Sequence, residues 1–457
     1  MRLLSLVTLT ASAIAFTYAI DPALFAQLHV PTVDGWLVGA GVLLLGLVWR
    51  WHSMMSRAVT PYTGELPHAS RYPSVTVIRP VRGKDVGAED NFRAALDTGY
   101  PGEVETLFVF DDDNDPGLPL AREVVAAHAA SGRAGTADVI VAGAPPAGFT
   151  GKLNAMIAGE QRAKGELIAF GDSDTRPDKN VLRGVVDALM SRPRAGSAFA
   201  PVLVDQPAIH AGDALYAFMQ NAMYSPLAAH ASGPTRTLPF IMGQLMVFRR
   251  QALASIGGVS AAKGQLVDDM AIGRALHEAG WENVMSRQPL HIATGGMTLR
   301  EFIPVYRRWM SFSKNGLPLS FTWRQWAAGA SFFVALFLSL VALAVGGVRA
   351  AIPSLAALFL VGDSLILLHK RYGGSPIPVR LAWAAWGVFI ISPYVLVSNL
   401  LKHKVEWRGR SYELAHGDAL AASPAPAHTM AHLEVDPDEA TDEQWPAEHH
   451  ATQHLIA

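Results

Sequence analysis

Apolar positions along this 457-residue chain follow two regimes: long unbroken runs near the ends, and short alternating or amphipathic blocks between them. Residues 3–20, 36–49, 327–347 and 381–401 contain no Lys or Arg, and each approaches the roughly 20 residues that cross a bilayer. Residues 350–368 form a fifth candidate span, interrupted by Asp363. Between these runs, residues 60–320 read as a soluble domain. Their periodicity predicts strands over 75–81, 104–110, 137–142 and 166–170, separated by helices over 87–96, 118–130 and 152–163. That βαβα rhythm predicts an α/β fold with a mostly parallel sheet. Residues 208–230 are apolar but carry Asp213, Gln220 and Asn221. They are expected to form an interfacial or buried helix, because a crossing there would split the sheet domain across the membrane. The stretch beyond about residue 420, rich in Pro, Ala, His and acids without periodicity, predicts a disordered tail.

These patterns divide the chain into an N-terminal transmembrane hairpin (1–58), a cytosolic α/β domain (59–320), C-terminal transmembrane helices (321–412) and a disordered tail (413–457). Whether residues 1–20 are a span or a signal peptide, the linker 21–35 has no Lys or Arg while Arg50 and Arg57 follow the second run. The positive-inside rule then puts residue 50 onward on the cytosolic side of an inner membrane. Five spans would place the basic residues 402–410 outside, whereas four spans or a re-entrant segment keep them cytosolic, which is the arrangement expected here. A formal charge of −2 lacks the basic excess of a nucleic-acid binder, so no nucleic-acid partner is expected. With no cysteine in the chain, disulfides and thiolate metal sites are excluded and catalysis falls to oxygen and nitrogen groups.

The sharpest chemical signal is Asp172-Ser173-Asp174, directly behind the strand 166–170. Carboxylates at the carboxyl end of a parallel strand suit a Mg²⁺ or Mn²⁺ ion that also binds substrate phosphates, although an acidic turn alone is ordinary turn chemistry. Two further strands also run into polar clusters. Arg79 to Asp85 follows the first, and Asp111 to Asp115 follows the second, where a carboxylate can accept from a uracil N–H or a ribose hydroxyl. Lys152 and Asn154 open a helix, a setting that suits a nucleotide phosphate. Asp268 and Asp269 also open a helix, where they serve as caps, as a general base, or as one of each. Arg308-Trp309, just before the membrane helices, reads either as an interfacial anchor or as a cation for a leaving diphosphate beside an acceptor pocket.

Taken in order, these motifs resemble the ceramide glucosyltransferases, membrane-bound inverting GT-A glycosyltransferases marked by Asp, Asp, Asp and (Gln/Arg)-x-x-Arg-Trp. The resemblance covers residues 73–320: residues 75–85 with Arg79 and Arg82 in place of lysines, Asn91-Phe92, Tyr100-Pro101, Asp112 with Asp115-Pro116, Gly151-Lys152-Leu153-Asn154, Asp172-Ser173, the glycines from 243 to 258, Asp269 and Arg308-Trp309. Trp407 to Tyr412 is similar to a carboxyl-terminal element of that family, while Val305 departs from its Gln or Arg. The resemblance implies a GT-A domain that transfers a hexose, glucose first among candidates, from a UDP-sugar to the primary hydroxyl of ceramide or a similar membrane lipid. Asp172 and Asp174 would hold the divalent metal. Asp85, Asp112, Lys152 and Asp172 would hold the nucleoside and phosphates, Asp269 would be the base, Arg308 would stabilise the departing UDP and Trp309 would border the acceptor. The alternatives are transfer to a polyprenyl phosphate, a hopanoid or a polysaccharide, and, given Val305, a non-catalytic lipid-binding subunit.

Overall fold

The computed structural model describes residues 32–59, 68–316, 323–401, 404–414 and 419–420. The expected segment 3–20 and the tail beyond 420 lie outside them. A long helix, α1 (Thr32–Ala58), leads into β1 (Val75–Val81), α2 (Ala88–Leu96), β2 (Val104–Phe110), α3 (Leu118–Ala130), β3 (Thr136–Val141), α4 (Gly151–Arg162) and β4 (Leu167–Gly171). From β1 to β4 each element falls within one residue of its sequence expectation. The chain continues through β5 (Thr175–Arg176), α5 (Val181–Met190), β6 (Ala195–Phe199), β7 (Val202–Leu203), α6 (Ala211–Phe218), a wider π turn over Met219–Tyr224, α7 (Ser225–Ser232), β8 (Thr237–Leu238) and β9 (Leu245–Arg249). It completes the sheet domain with α8 (Arg250–Ser255), α9 (Asp268–Glu278), β10 (Glu282–Met285) and β11 (Leu290–Ile292). The remainder is α10 (Leu299–Gly316), α11 (Trp323–Val345), α12 (Val348–Tyr372), α13 (Ala384–Leu401) and a hairpin of β12 (Lys404–Trp407) and β13 (Arg410–Glu413).

Eight strands form one sheet in the order β3-β2-β1-β4-β9-β6-β10-β8. β1 runs parallel to β2 and to β4, with Ile78 opposite Leu107 on one side and Phe170 on the other. The shared direction brings the carboxyl ends of β1, β2 and β4 to one edge. The turns that carry Asp85, Asp111 and Asp172 therefore meet there although far apart in sequence. The strands are apolar on both faces because helices cover both, the usual condition of a parallel sheet. Leu153 and Met156 of α4 and Ile272 and Leu276 of α9 pack on Ile78, Ile168 and Phe248. On the opposite face, Val181, Val185 and Leu189 of α5 pack on Val77, Ala169 and Val247. The stretch 208–230 folds as the buried helical run α6 to α7, as its mixture of apolar and amide side chains predicts.

Among the described residues, four helices are long and apolar enough to cross a membrane, at Gly35–Ala58, Ala327–Val345, Val348–Tyr372 and Val379–Asn399, matching four of the five expected runs. α1 and α12 lie side by side and run in the same sense. Gly41 faces Pro353 and Ser354 at one end, where a β-carbon would come within 2.8 Å of the Ser354 amide nitrogen, and Met55 packs with Leu365 and Leu368 at the other. That second end rests on the sheet domain, where the Ser375 hydroxyl donates to the Asp205 carbonyl and Asn221 contacts His369 at 3.2 Å. α11 runs the opposite way, its far end meeting Leu37 and Ala350 through Ala342.

α13 behaves differently. Arg380, just ahead of it, donates to the Ile209 carbonyl at 2.9 Å; its middle meets α10 through Ser392 and Tyr306 at 2.6 Å; near its end Asn399 donates to the Arg307 carbonyl at 2.9 Å. Both ends, and the β12–β13 hairpin that follows, thus lie on the face of the sheet domain. A helix that starts and finishes on one face has the contacts a re-entrant segment would make, and residues 404–410 lie beside the sheet domain. Because the chain lacks cysteine, this is directly testable. Val379→Cys, Ser411→Cys and Arg93→Cys, made singly at exposed positions, are expected to react with a membrane-impermeant maleimide from one and the same side. Labelling of Val379→Cys and Ser411→Cys from opposite sides would make α13 a true crossing.

Candidate active site at the sheet edge

The site is organised around Lys152, in the first turn of α4. Thr150 caps that helix, its hydroxyl accepting from the Leu153 amide at 3.0 Å, which fixes the direction in which Lys152 leaves the backbone. The Lys152 ammonium lies 2.8 Å from Asp172 and 3.8 Å from Asp268, and only 14% of its side chain is exposed. Burial alone would lower its pKa, but Asp172, Asp268 and Asp269 outweigh burial and hold the ammonium above its ordinary value. It is a fixed positive charge joining the Asp172 turn to the start of α9.

Arg79 supplies a second fixed cation beneath the Asp172 turn. It is fully buried in β1 and donates to the carbonyls of Asp172 at 2.5 Å and Thr175 at 3.0 Å. Burial lowers its pKa to about 10, against the pull of Asp172, Asp174 and Asp85, so it remains charged at neutral pH. Its bonds run to backbone carbonyls and to the Thr175 hydroxyl at 3.2 Å, leaving the carboxylates free to face the cavity. Ser173, between the two aspartates, donates to Asp85 at 2.5 Å and brings a third carboxylate to the group. Although 44% of the Asp174 side chain remains open to the cavity, the surrounding protein first, and then Asp172 and Asp85, push its carboxyl up to about 6.

Among the described residues, no three His, Asp or Glu side chains form a metal-holding cluster by themselves. Mg²⁺ and Mn²⁺ sites that bind substrate phosphates commonly use one or two carboxylates, the phosphates and water completing the shell. The mutual repulsion among Asp172, Asp174 and Asp85 is the electrostatic demand such a cation would satisfy. The residues therefore fit a divalent metal.

Asp268 and Asp269 occupy the first turn of α9, and their surroundings separate them. Both line the cavity, but Asp268 is buried and faces Lys152, whereas Asp269 is half-buried, with one oxygen accepting from the Met270 amide at 2.8 Å. Burial first, and then Asp268, raise the Asp269 carboxyl to about 7, with Lys152 opposing. Gly243 permits the approach, since a β-carbon there would stand 2.6 Å from an Asp269 oxygen. A carboxyl titrating near neutrality beside a buried cation is suited to general-base work.

The cavity that begins at these aspartates has a volume of about 1280 Å³, above the ~300–1,000 Å³ usual for small-molecule sites. Asp172, Asp174, Asp269, Lys152, Arg308 and Arg408 line its polar end. It continues between Val305 and Trp309 of α10, Phe333 and Val334 of α11, and Leu396 and Val397 of α13, into the layer of apolar helices. Trp309 forms part of this wall, its ring 5.4 Å from that of Tyr224 on the π turn. Arg308 points toward the carboxylates; burial lowers its pKa, while Tyr216 and Asp174 favour its charged form.

Of the residues named from sequence, Asp85, Lys152, Asp172, Asp174, Asp269, Arg308 and Trp309 come together around this one cavity. Asp112 does not. It is exposed and turns back to accept from the Asn114 amide at 2.9 Å. Its neighbour Asp111 is buried in the wall of an adjoining pocket, held by both Arg82 and Arg410. Arg408 and Arg410, from the far end of the chain, were not among the expected site residues; the Trp407 to Tyr412 element was their one sequence signal. Gln244, whose side-chain oxygen is buried without a partner at the cavity wall, had none.

Residues 37–420 match the family described as glycosyl transferase family 21. The chain belongs to that family. This family 21 chain is 23% identical over 359 residues to ceramide glucosyltransferase 3 of Caenorhabditis elegans, an alignment covering 76% of this chain and 74% of the relative. It is 26% identical over 164 residues to the ceramide glucosyltransferase of Gibberella zeae, covering 35% and 30% of the two chains. In three dimensions it resembles the mannosyltransferase PcManGT of Pyrobaculum calidifontis, solved in complex with GDP-Man and Mn²⁺, with a TM-score of 0.51 and 17% identity over 81% of this chain and 99% of that one. The fold is that of a GT-A glycosyltransferase joined to membrane helices, and the family 21 protein is a glycosyltransferase.

The raised Asp269 carboxyl has a consequence for stability. The folded state binds that proton more tightly than the unfolded chain, so the stability contributed by the protonated form is fully present below the ordinary carboxyl value of 3.8 and is lost as pH rises from there through about 7. Asp269→Asn removes the titration. It is expected to raise the thermal midpoint strongly at pH 8 and by less at pH 5, as read by differential scanning fluorimetry in detergent. An equal change at both pH values would contradict the burial argument.

Proposed function

We propose that this glycosyltransferase moves a hexose, glucose first among candidates, from a UDP-sugar to the primary hydroxyl of ceramide or a closely similar lipid, with inversion at the anomeric carbon. The observation that carries this reading is the continuity of one cavity from the Asp172, Asp174 and Asp269 carboxylates into the apolar helices. A two-chain lipid resists leaving the bilayer by about 0.8 kcal/mol for each methylene exposed to water. A base placed at the head of an apolar cavity meets the lipid hydroxyl without that loss. The ceramide-directed names of the family 21 relatives support the same acceptor.

In this reading Asp172 and Asp174 would hold a divalent cation, which would supply neutralising charge to the donor diphosphate. Lys152 balances the phosphates beside it, and Asp85 and Asp111 face the nucleotide. Asp112, expected in that role from sequence, would have to leave its turn to reach it. Asp269 accepts the proton of the acceptor hydroxyl as that oxygen bonds to the anomeric carbon. The bond between that carbon and the diphosphate oxygen breaks, its electron pair departs with UDP, and Arg308 faces the charge so formed. Trp309 and Val305 border the acceptor. The domain of residues 59–320 is assigned to the cytosolic face of the inner membrane, with β12 and β13 folded back onto it.

Membranes containing the protein are expected to form monohexosylceramide from labelled UDP-glucose or UDP-galactose and ceramide only when Mg²⁺ or Mn²⁺ is present. Donor hydrolysis without lipid product would exclude ceramide and favour another acceptor such as a polyprenyl phosphate or a hopanoid. The lack of both product and hydrolysis would favour a non-catalytic subunit. Asp269→Asn should retain UDP binding while transfer falls at least ~100-fold, the scale of a lost general base. In the parent enzyme kcat should climb as pH rises through about 7, the value to which the Asp269 carboxyl is raised. An unchanged rate in the Asn variant would remove Asp269 from the base role.

A further inference from the structure

The tip of the β12–β13 hairpin breaks a local rule. Trp407 pairs with Arg410, so Arg408 and Gly409 form a two-residue turn, and both have positive φ, 52° and 72°. Turns of this kind favour Asn-Gly, because a longer side chain in the left-handed region is strained. Strain of this sort persists where the surroundings hold it in place, and it gathers at functional sites.

The surroundings of Arg408 are the acidic sheet edge. Its carbonyl accepts from the Arg82 side chain at 2.8 Å, which pins the tip to the end of β1. Its guanidinium donates to Asp85 and stands 3.9 Å from Asp174, more than 230 residues away in the chain. Arg410, on the other side of the turn, contacts Asp111 at 2.5 Å. The hairpin is held from behind by packing of Val405, Trp407 and Tyr412 against Leu266, Val267 and Phe312. The pocket enclosed between the hairpin and Asp111, Lys152 and Asp172 measures only about 60 Å³, far below the ~300–1,000 Å³ of small-molecule sites. A nucleotide enters that space only if the hairpin gives way.

We infer that Arg408 is a donor-binding residue: its guanidinium leaves Asp85 and Asp174 to grip the diphosphate of the nucleotide sugar, and the hairpin closes over the nucleotide behind it. This rests on the proposed nucleotide-sugar reading. A cation held by Asp172 and Asp174 would compete with Arg408 for Asp174, while the donor would bring phosphate oxygens to the same place. A planar guanidinium is matched in shape and charge to such oxygens. Arg408 thus passes from one anion to another, and the site is never left with an uncompensated charge.

The test is UDP and uridine binding to the full-length protein in lipid nanodiscs with Mn²⁺, measured by calorimetry. Arg408→Ala is expected to weaken UDP binding about 10- to 100-fold, the scale of charge-assisted hydrogen bonds, while leaving uridine binding unchanged. Arg408→Lys, which keeps the charge without the fork, should fall between the two and serves as the readout if the alanine variant misfolds. Lys404→Ala, which removes the exposed cross-strand pair with Glu413 at 2.6 Å, should bind UDP as the parent does. UDP affinity untouched by Arg408→Ala, or equal losses for UDP and uridine, would reduce Arg408 to a structural role. A parent protein that binds neither ligand would overturn the uridine-nucleotide reading itself, and this inference with it.

Discussion

Everything at this site depends on the cost of gathering carboxylates at the edge of a buried sheet. Asp85, Asp111, Asp172, Asp174, Asp268 and Asp269 are drawn together by the parallel arrangement of β1, β2 and β4 and by the entry of α9, and in isolation they would repel one another apart. The protein keeps them together with cations held in fixed places. Lys152 bridges Asp172 and Asp268, Arg79 ties down the turn from below, and the guanidiniums of Arg82, Arg408 and Arg410 face the outer acids. The compensation is uneven. Asp174, Asp268 and Asp269 keep raised carboxyls, and all three line the cavity where chemistry would occur.

The membrane helices are part of the same construction rather than a separate anchor. α10 presents Arg308 to the carboxylates and Trp309 to the apolar wall, so a single helical turn meets both the charged and the hydrocarbon regions of the cavity. α13, apolar along its whole length, lies against α6 and α10 and supplies Leu396 and Val397 to that wall. The packing of α1 against α12 fixes the frame on which α11 and the cavity are hung. A rigid sheet and a rigid helical frame meet at one opening, which orients a long flexible lipid without requiring the protein to enclose it completely.

Much of this was legible in the sequence because the relevant signals are local. The β1 to β4 segment reads correctly since strands buried on both faces are short apolar runs bounded by turn residues, and the Asp172 turn stands out because it directly follows one of them. Which acid at the end of β2 enters the pocket wall is harder to choose. Asp111, Asp112 and Asp113 follow β2 in succession, and only the path of the turn decides that Asp111 faces inward while Asp112 bonds to Asn114. The lie of α13 was not legible from composition, because a helix surrounded by protein and lipid is as apolar as one that crosses. The contribution of Arg408 and Arg410 depends on contacts spanning most of the chain, beyond the reach of any periodicity.

One feature of the hairpin bears on assembly. Arg408 meets Asp85, and Arg410 meets Asp111, across separations of 323 and 299 residues, with every described membrane helix after α1 lying between them in the chain. Contacts of such long range form late, because the intervening chain must first be ordered. During synthesis the sheet domain emerges with its acids already clustered, but the strands that cover them are made only after α11, α12 and α13. Completion of the pocket beneath the hairpin is thereby tied to completion of the apolar helices, and a chain arrested before residue 404 would carry the carboxylates without their cover.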